Sequence, residues 1–215
     1  MEMVDYSYHG FYAKFESPDK PTGSLLMGPD NLVGDEFEVF FKEEDGRMVA
    51  WLRNKFDKEV GFFDIDVSRK LQIANGREQT IKALLSFVAY SDTPDPGLYW
   101  GEMAVFCYNA AYEDEIGTFI NRCASKMIEG VRPNIDLGRS SIEKIFKEAD
   151  WVPSENVPFP KKETGMAILK SSRSMSEKMI EQGRARNKGC YAVSWIFIII
   201  VIAAVIYGLH AMGLF

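Results

Sequence analysis

The chain has 215 residues, of which 47% are hydrophobic and 26% are charged, and these values are typical of globular proteins. They exclude a wholly disordered chain, a collagen-like repeat and a polytopic membrane protein. Three cysteines are too few for a disulfide-stapled scaffold. The charges are unevenly spread, because no Lys, Arg, Asp or Glu occurs from Cys190 to Phe215.

The first half of the chain has the pattern of a series of short strands. Strands are predicted at residues 10–16, 35–42, 47–54, 59–65, 80–90 and 98–108. In the second of these, Phe37, Val39 and Phe41 alternate with charged residues and define one apolar face. Residues 80–90 also fit a helix, but their aromatic end and the turn after them favour a strand. Together the strands predict a small antiparallel β-barrel or curled sheet.

Two helices are predicted after the strands, which makes the fold class α+β. Residues 113–129 have an acidic first turn that suits the helix dipole. Their apolar face is formed by Ile116, Phe119, Ile120, Cys123 and Met127. The shorter helix, 140–149, has Ser140 and Glu143 in the spacing of a capping box. A further short helix is expected to run to Ala74 from a cap at Asp66 or Ser68.

The chain is expected to contain four segments. Residues 1–110 form a β-rich cytoplasmic domain, and 111–150 are a helical extension packed on it. Residues 151–190 form a Pro-rich linker and a basic juxtamembrane segment, in which 172–183 fit an amphipathic helix. Residues 191–214 form one C-terminal transmembrane helix.

The transmembrane prediction depends on length and apolarity. As a helix at about 1.5 Å per residue, 24 residues span roughly 36 Å, which exceeds a hydrocarbon core of about 30 Å. Tyr191 and Trp195 lie at one end, where aromatic rings favour the headgroup level. A buried core helix is the alternative, but such helices are rarely this long and uniformly apolar.

The flanking charges predict the orientation of this helix. Residues 161–190 carry eight basic and three acidic side chains, including Arg184, Arg186 and Lys188 next to the span. The positive-inside rule therefore places the N-terminal part in the cytoplasm and the C-terminus across the membrane. The basic segment either sets this topology or also binds anionic lipid. Cys190, at the membrane boundary, is a candidate for S-acylation.

Motifs for catalysis or metal binding are missing from the sequence. There is no P-loop, no G-x-S-x-G, no H-E-x-x-H and no paired C-x-x-C, and the two histidines are far apart. Asp64 and Asp66 form either a carboxylate pair or an ordinary solvated loop. Cys107 and Cys123 are expected to be free thiols, because the cytoplasm is reducing. No cofactor and no metal are predicted, and a non-enzymatic protein is favoured.

One group of residues has the composition of a nucleic-acid site. Aromatic side chains interleaved with basic ones can stack the bases of a single strand. The candidates are Arg69, Lys70, Arg77, Lys82, Tyr99 and Trp100. Two arguments oppose this interpretation. Residues 1–110 have a net charge of −8, and filling the core of a small barrel is the favoured role for the aromatic residues of 90–108.

Residues 34–108 resemble a divergent HIRAN domain, a small all-β module. The resemblance is carried by GDEFEVFF, by RMVAWLRN, by EVGFFDIDVSRKL and by the strand ending in GEMAVFCY. It implies the module's fold, and it raises nucleic-acid binding as a function because HIRAN domains are associated with DNA processing.

Two functions are therefore carried forward. The first is a tail-anchored membrane protein that presents a non-enzymatic binding or adaptor domain to an unknown cytoplasmic protein partner. The second is a membrane-tethered factor of HIRAN-like type that binds or processes nucleic acid. The lipid bilayer is a partner in both cases, and the acidic net charge disfavours the second.

Overall fold

The computed structural model describes residues 8–93, 95–148, 150–161, 163–184, 200 and 202. The chain divides into two compact units, Met1–Arg173 and Ser174–Phe215. The first unit contains the named strands and helices. In the second unit, residues 175–184 are helical, in agreement with the amphipathic helix expected there.

Seven strands form one sheet. They are β1 (His9–Glu16), β2 (Glu36–Glu44), β3 (Arg47–Arg53), β4 (Glu59–Phe63), β5 (Gln79–Ser91), β6 (Leu98–Asn109) and β7 (Met166–Lys170). Their order is β2-β3-β4-β1-β6-β5-β7, and all the pairings between these named strands are antiparallel. The start of β2 also pairs with β5, through Glu36 with Leu84 and Phe37 with Ala83. The prediction of an α+β fold built on an antiparallel sheet is confirmed.

The four named helices all lie between strands in chain order. They are α1 (Lys20–Ser24), α2 (Ile65–Gly76), α3 (Glu113–Ile128) and α4 (Arg139–Lys147), with single 3-10 turns at Leu25–Met27 and Ala110–Tyr112. The two helices predicted at 113–129 and 140–149 are present within about two residues of those bounds. The apolar face predicted for α3 is buried, because its five residues are all at most 2% exposed.

The long hairpin of β5 and β6 is buried on both faces. On β6, Met103 and Val105 belong to a core on one face of the sheet, whereas Ala104 and Phe106 belong to a second core against α3. Burial on both faces also explains the continuous apolar sequence of β5, since a strand covered on both sides does not alternate between apolar and polar residues. Residues 80–90 are therefore a strand, and their helix-like pattern reflects continuous burial.

Two predicted helix caps are wrong. The N-cap of α2 is Asp64, whose carboxylate accepts the Val67 amide at 2.8 Å, while the Ser68 hydroxyl accepts the Ala50 amide of β3. The N-cap of α4 is Gly138, with no side-chain cap. Glu143 instead pairs with basic residues one turn away on either side, which is a competing use for its carboxylate.

The predicted linker 151–190 contains ordered structure, and this is a correction. Its residues Met166–Lys170 form β7, and Val157 donates its amide to the carbonyl of Arg132. The ammonium of Lys170 is buried and donates to the carbonyls of Leu26, Gly28 and Asn31. The sequence pattern does not predict the burial of Lys170, because its carbonyl partners are about 140 residues away in the chain. By position alone the lysine resembles a juxtamembrane charge.

Within the described part of the chain, no helix is long and apolar enough to cross a membrane. The predicted span 191–214 lies outside the described residues, apart from Ile200 and Ile202. The same holds for predicted interface and lipidation residues, namely Arg186, Lys188, Cys190, Tyr191 and Trp195. Arg184 is described, and its guanidinium lies 3.9 Å from the carboxylate of Glu181.

Candidate functional site

The aromatic residues of the predicted nucleic-acid site are mostly interior. Trp100 is 7% exposed, packs edge-on against Phe87 with ring centroids 5.6 Å apart, and donates its indole N–H to Ser91. Tyr99 is half-buried beside Tyr90, at 5.0 Å between centroids. These contacts agree with the core interpretation of Trp100 and leave Tyr99 partly accessible.

The four basic residues predicted for that site do not form one group in the structure. Lys82 is held by Glu113, with 2.6 Å between its ammonium and the carboxylate. Arg69 is exposed on α2. Lys70 and Arg77, in contrast, both line one cleft of about 400 Å³, which we call the β1–α2 cleft. Its lining residues are Tyr8, His9, Phe11, Lys70, Ile73, Ala74, Arg77, Gln79 and Cys107.

Simple periodicities bring these side chains together. Lys70, Ile73 and Arg77 are three and four residues apart, so they share one face of α2 and its C-terminal end. His9 and Phe11 are two residues apart on β1 and therefore point to the same side of the sheet. Cys107 is the β6 residue directly opposite His9 in the ladder, which places it between the two walls.

The cleft combines positive charge with apolar surface. The ammonium of Lys70 lies 5.8 Å from the Phe11 ring centroid, and the rings of His9 and Phe11 are 5.1 Å apart. Ile73 is 50% exposed at the same edge. Among the residues that the structure describes, neither Lys70 nor Arg77 has an ion-pair partner, although both are exposed.

Among the described residues, nine of the other fifteen cations of residues 1–160 pair with a carboxylate. Lys42 pairs with Glu59, and Arg53 lies 3.4 Å from Glu38. The contrast matters because residues 1–160 carry 17 basic and 28 acidic side chains, a net charge of −11. Two unpaired cations at one cleft therefore create a local positive region on an acidic surface.

The titratable groups inside the cleft favour binding over covalent chemistry. Burial raises the pKa of the Cys107 thiol to about 12, so this sulfur stays protonated at neutral pH and is a poor nucleophile. Burial is also the main reason that the pKa of Tyr8 is well above its usual value. The hydroxyl of Tyr8 is already used, since it donates to the Ile135 carbonyl at 2.9 Å.

The structure gives Asp64 and Asp66 structural positions at the start of α2, as its N-cap and in its first turn. In the described ranges, no group of three or more His, Cys, Asp or Glu side chains is close enough to hold a metal ion. Cys107 and Cys123 are free and buried.

Sequence reasoning missed the β1 half of the cleft. His9 has no other histidine near it in the sequence and Phe11 falls within a predicted strand, so the sequence does not connect either residue with Lys70. The helical spacing of Lys70 and Arg77 was a usable signal, because it separates them from Arg69 by about 100° around the helix axis. Comparison with protein-family models, curated proteins and solved structures found no match to this chain.

Proposed function

We propose that this chain is a tail-anchored membrane protein whose N-terminal domain is a non-enzymatic binding module. The anchor is supported by the 24 residues 191–214, which carry no Lys, Arg, Asp or Glu, and by the basic residues before them. In this arrangement the domain is held in the cytoplasm at the membrane surface, and the C-terminus is on the other side.

The β1–α2 cleft is the proposed binding site, and the two unpaired cations carry the argument. Lys70 and Arg77 would attract carboxylate or phosphate groups, while Phe11 and Ile73 offer apolar contact beside them. The ligand that fits is an acidic segment of a cytoplasmic protein that also bears an aromatic or aliphatic side chain. The protonated Cys107 supports binding without a covalent step.

A fluorescent peptide that alternates Glu and Phe is a direct probe for the cleft. The full chain in detergent should bind it more tightly than the peptide with Gln in place of Glu. The double variant Lys70→Glu/Arg77→Glu should lower the affinity about tenfold, because it replaces two attractions of up to about 1 kcal/mol with repulsions. Lys58→Glu, which reverses an exposed charge in the β3–β4 turn, is the matched control. Equal binding by both variants would refute the site.

The membrane part of the proposal has a separate test. The full chain should stay with the membrane in alkaline carbonate, and deletion of 191–214 should release it. In sealed right-side-out cells, added protease should leave residues 1–160 intact. Digestion of this domain under those conditions would show that the orientation is reversed.

A second candidate function is nucleic-acid binding of HIRAN-like type. Two observations favour it: Lys70 and Arg77 share a cleft with an aromatic side chain, and the β2–β5 pairs support a small barrel closed from β2 round to β5. The net charge of −11 on residues 1–160 opposes it, because it repels polyanions at long range.

A further inference from the structure

We propose that a second site, a groove between α3 and α4, binds the side chain of an arginine presented by a basic peptide. The groove has a volume of about 260 Å³ and is formed by the start of α3, the end of α4, and Glu148 and Trp151 beyond it. It is separate in residues and in charge from the β1–α2 cleft, and the inference does not depend on the function proposed there.

Aromatic side chains form the floor and one wall of the groove. Phe119 is 2% exposed and lies at the bottom, and the half-buried Trp151 stacks on it with 6.3 Å between centroids and 19° between ring planes. Phe146 is half-buried beside them. A guanidinium group stacks on aromatic faces because it is planar and weakly hydrated. The ammonium of Lys144 already lies 5.7 Å from the Trp151 centroid, so this ring attracts a cation within the chain itself.

Carboxylates line the rim of the same groove. Asp114, Glu115 and Glu148 are exposed, and none of them has an ion-pair partner among the described residues. The one cation of the lining, Lys147, lies 3.6 Å from Glu143 and is partly neutralised. The rim is therefore net negative, opposite in sign to the β1–α2 cleft.

The helix dipole accounts for two of the three carboxylates on this rim and does not account for the third, Glu148. Asp114 and Glu115 are in the first turn of α3, where the helix dipole favours negative charge. Glu148 is the C-cap of α4, where the dipole disfavours a carboxylate. A cationic ligand would compensate this unfavourable position, which is why the rim fits a binding role.

The size and chemistry of the groove select one occupant. A volume of about 260 Å³ holds a single long side chain and is too small for a helix. Arginine satisfies both walls at once, because its guanidinium stacks on Trp151 and its N–H groups form forked hydrogen bonds with carboxylates. Lysine supplies the charge without the planar face, and citrulline supplies a similar shape without the charge.

The test uses three short peptides that differ only in this side chain. The full chain, labelled with 5-fluorotryptophan and held in maltoside detergent, is titrated with each peptide while the fluorine signals are followed. Trp151→Phe identifies the Trp151 signal. The arginine peptide should shift that signal in a saturable way and bind about tenfold more tightly than the citrulline peptide, with lysine between them. Equal binding of arginine and citrulline, or no shift of the Trp151 signal, would overturn the proposal.

Two variants and a matched control locate the binding. Asp114→Asn should lower the affinity for the arginine peptide about threefold. Phe146→Leu, which keeps an apolar side chain, should lower it about fivefold. Asp66→Asn removes the equivalent first-turn charge from α2 and should leave the affinity unchanged. If Asp66→Asn weakens binding as much as Asp114→Asn, the attraction is non-specific and the groove is not the site.

Discussion

Arg173 forms an ion pair with Asp35, with 2.8 Å between the guanidinium and the carboxylate. Both side chains are about 10% exposed, and Arg173 also donates to the carbonyl of Val33. The pair joins the last residue of the first unit to the loop that leads into β2. Arg173 is thus a structural residue of the folded domain, although its position in the sequence resembles that of a membrane-flanking charge.

We expect Arg173→Met to destabilise the first unit by about 3 kcal/mol, because it leaves Asp35 in a poorly solvated position with one partner fewer. Lys55, 3.3 Å from the other carboxylate oxygen, should limit the loss. Urea unfolding of the full chain in detergent, followed by tryptophan fluorescence, measures the effect. Arg184→Met, which removes an exposed cation from the second unit, is the control. A loss below about 0.5 kcal/mol for Arg173→Met would contradict the structural role.

Truncation should show that the folded domain extends to Arg173. A chain ending at residue 160 lacks β7, Lys170 and Arg173, so it should lose near-UV circular dichroism or precipitate. A chain ending at residue 184 keeps these groups and should remain folded. If both fragments have the same spectrum, β7 is dispensable and the domain ends near residue 160.

The pH dependence of stability should be detectable at Glu113. Hydrogen bonds from Lys82, first, and from Tyr108 hold the pKa of Glu113 below its ordinary value of 4.5. A lowered folded-state pKa means that the stabilisation is present above the unfolded pKa and is lost as the pH falls through the folded value. We therefore expect the free energy of unfolding to fall on acidification below about pH 4.5. In Glu113→Gln it should fall less over that range, because the ionisable group is absent. Glu115→Gln, two residues further along in the same first turn of α3, is the control.

The thiol of Cys107 should be unreactive in the native protein. Because burial raises its pKa to about 12, almost no thiolate is present at pH 8. Burial also raises the pKa of Cys123. Iodoacetamide at pH 8 should leave both residues unmodified until denaturant is added, as peptide mass spectrometry can show. Modification of native Cys107 at the rate of a free thiol would mean that the cleft is more open than the structure indicates.

Single-stranded DNA separates the two candidate functions. The acidic body predicts that the full chain binds DNA no more tightly than the non-specific range of about 10⁻⁴ M at physiological salt. Micromolar binding that weakens with salt, and that Lys70→Glu/Arg77→Glu abolishes while Lys58→Glu does not, would instead favour the HIRAN-like function. Fluorescence anisotropy with a labelled oligonucleotide at several salt concentrations is sufficient.

The sequence alone determined six of the seven named strands, the α+β class and the two helices that follow β6. These features depend on local periodicity, and the alternation of Phe37, Val39 and Phe41 or the apolar face of α3 is readable without knowing what packs against it. The apolar C-terminal span stays a prediction, and it depends only on composition over 24 residues.

Tertiary structure decided which charged and aromatic residues are available to a ligand. Lys70 and Lys82 are the same residue type and both are candidates from the sequence. In the structure Lys82 forms an ion pair with Glu113, whereas Lys70 lines the β1–α2 cleft. Lys170 is hidden by carbonyls from a loop about 140 residues away. Such pairings depend on long-range contacts in the folded chain, and local sequence patterns carry no information about them.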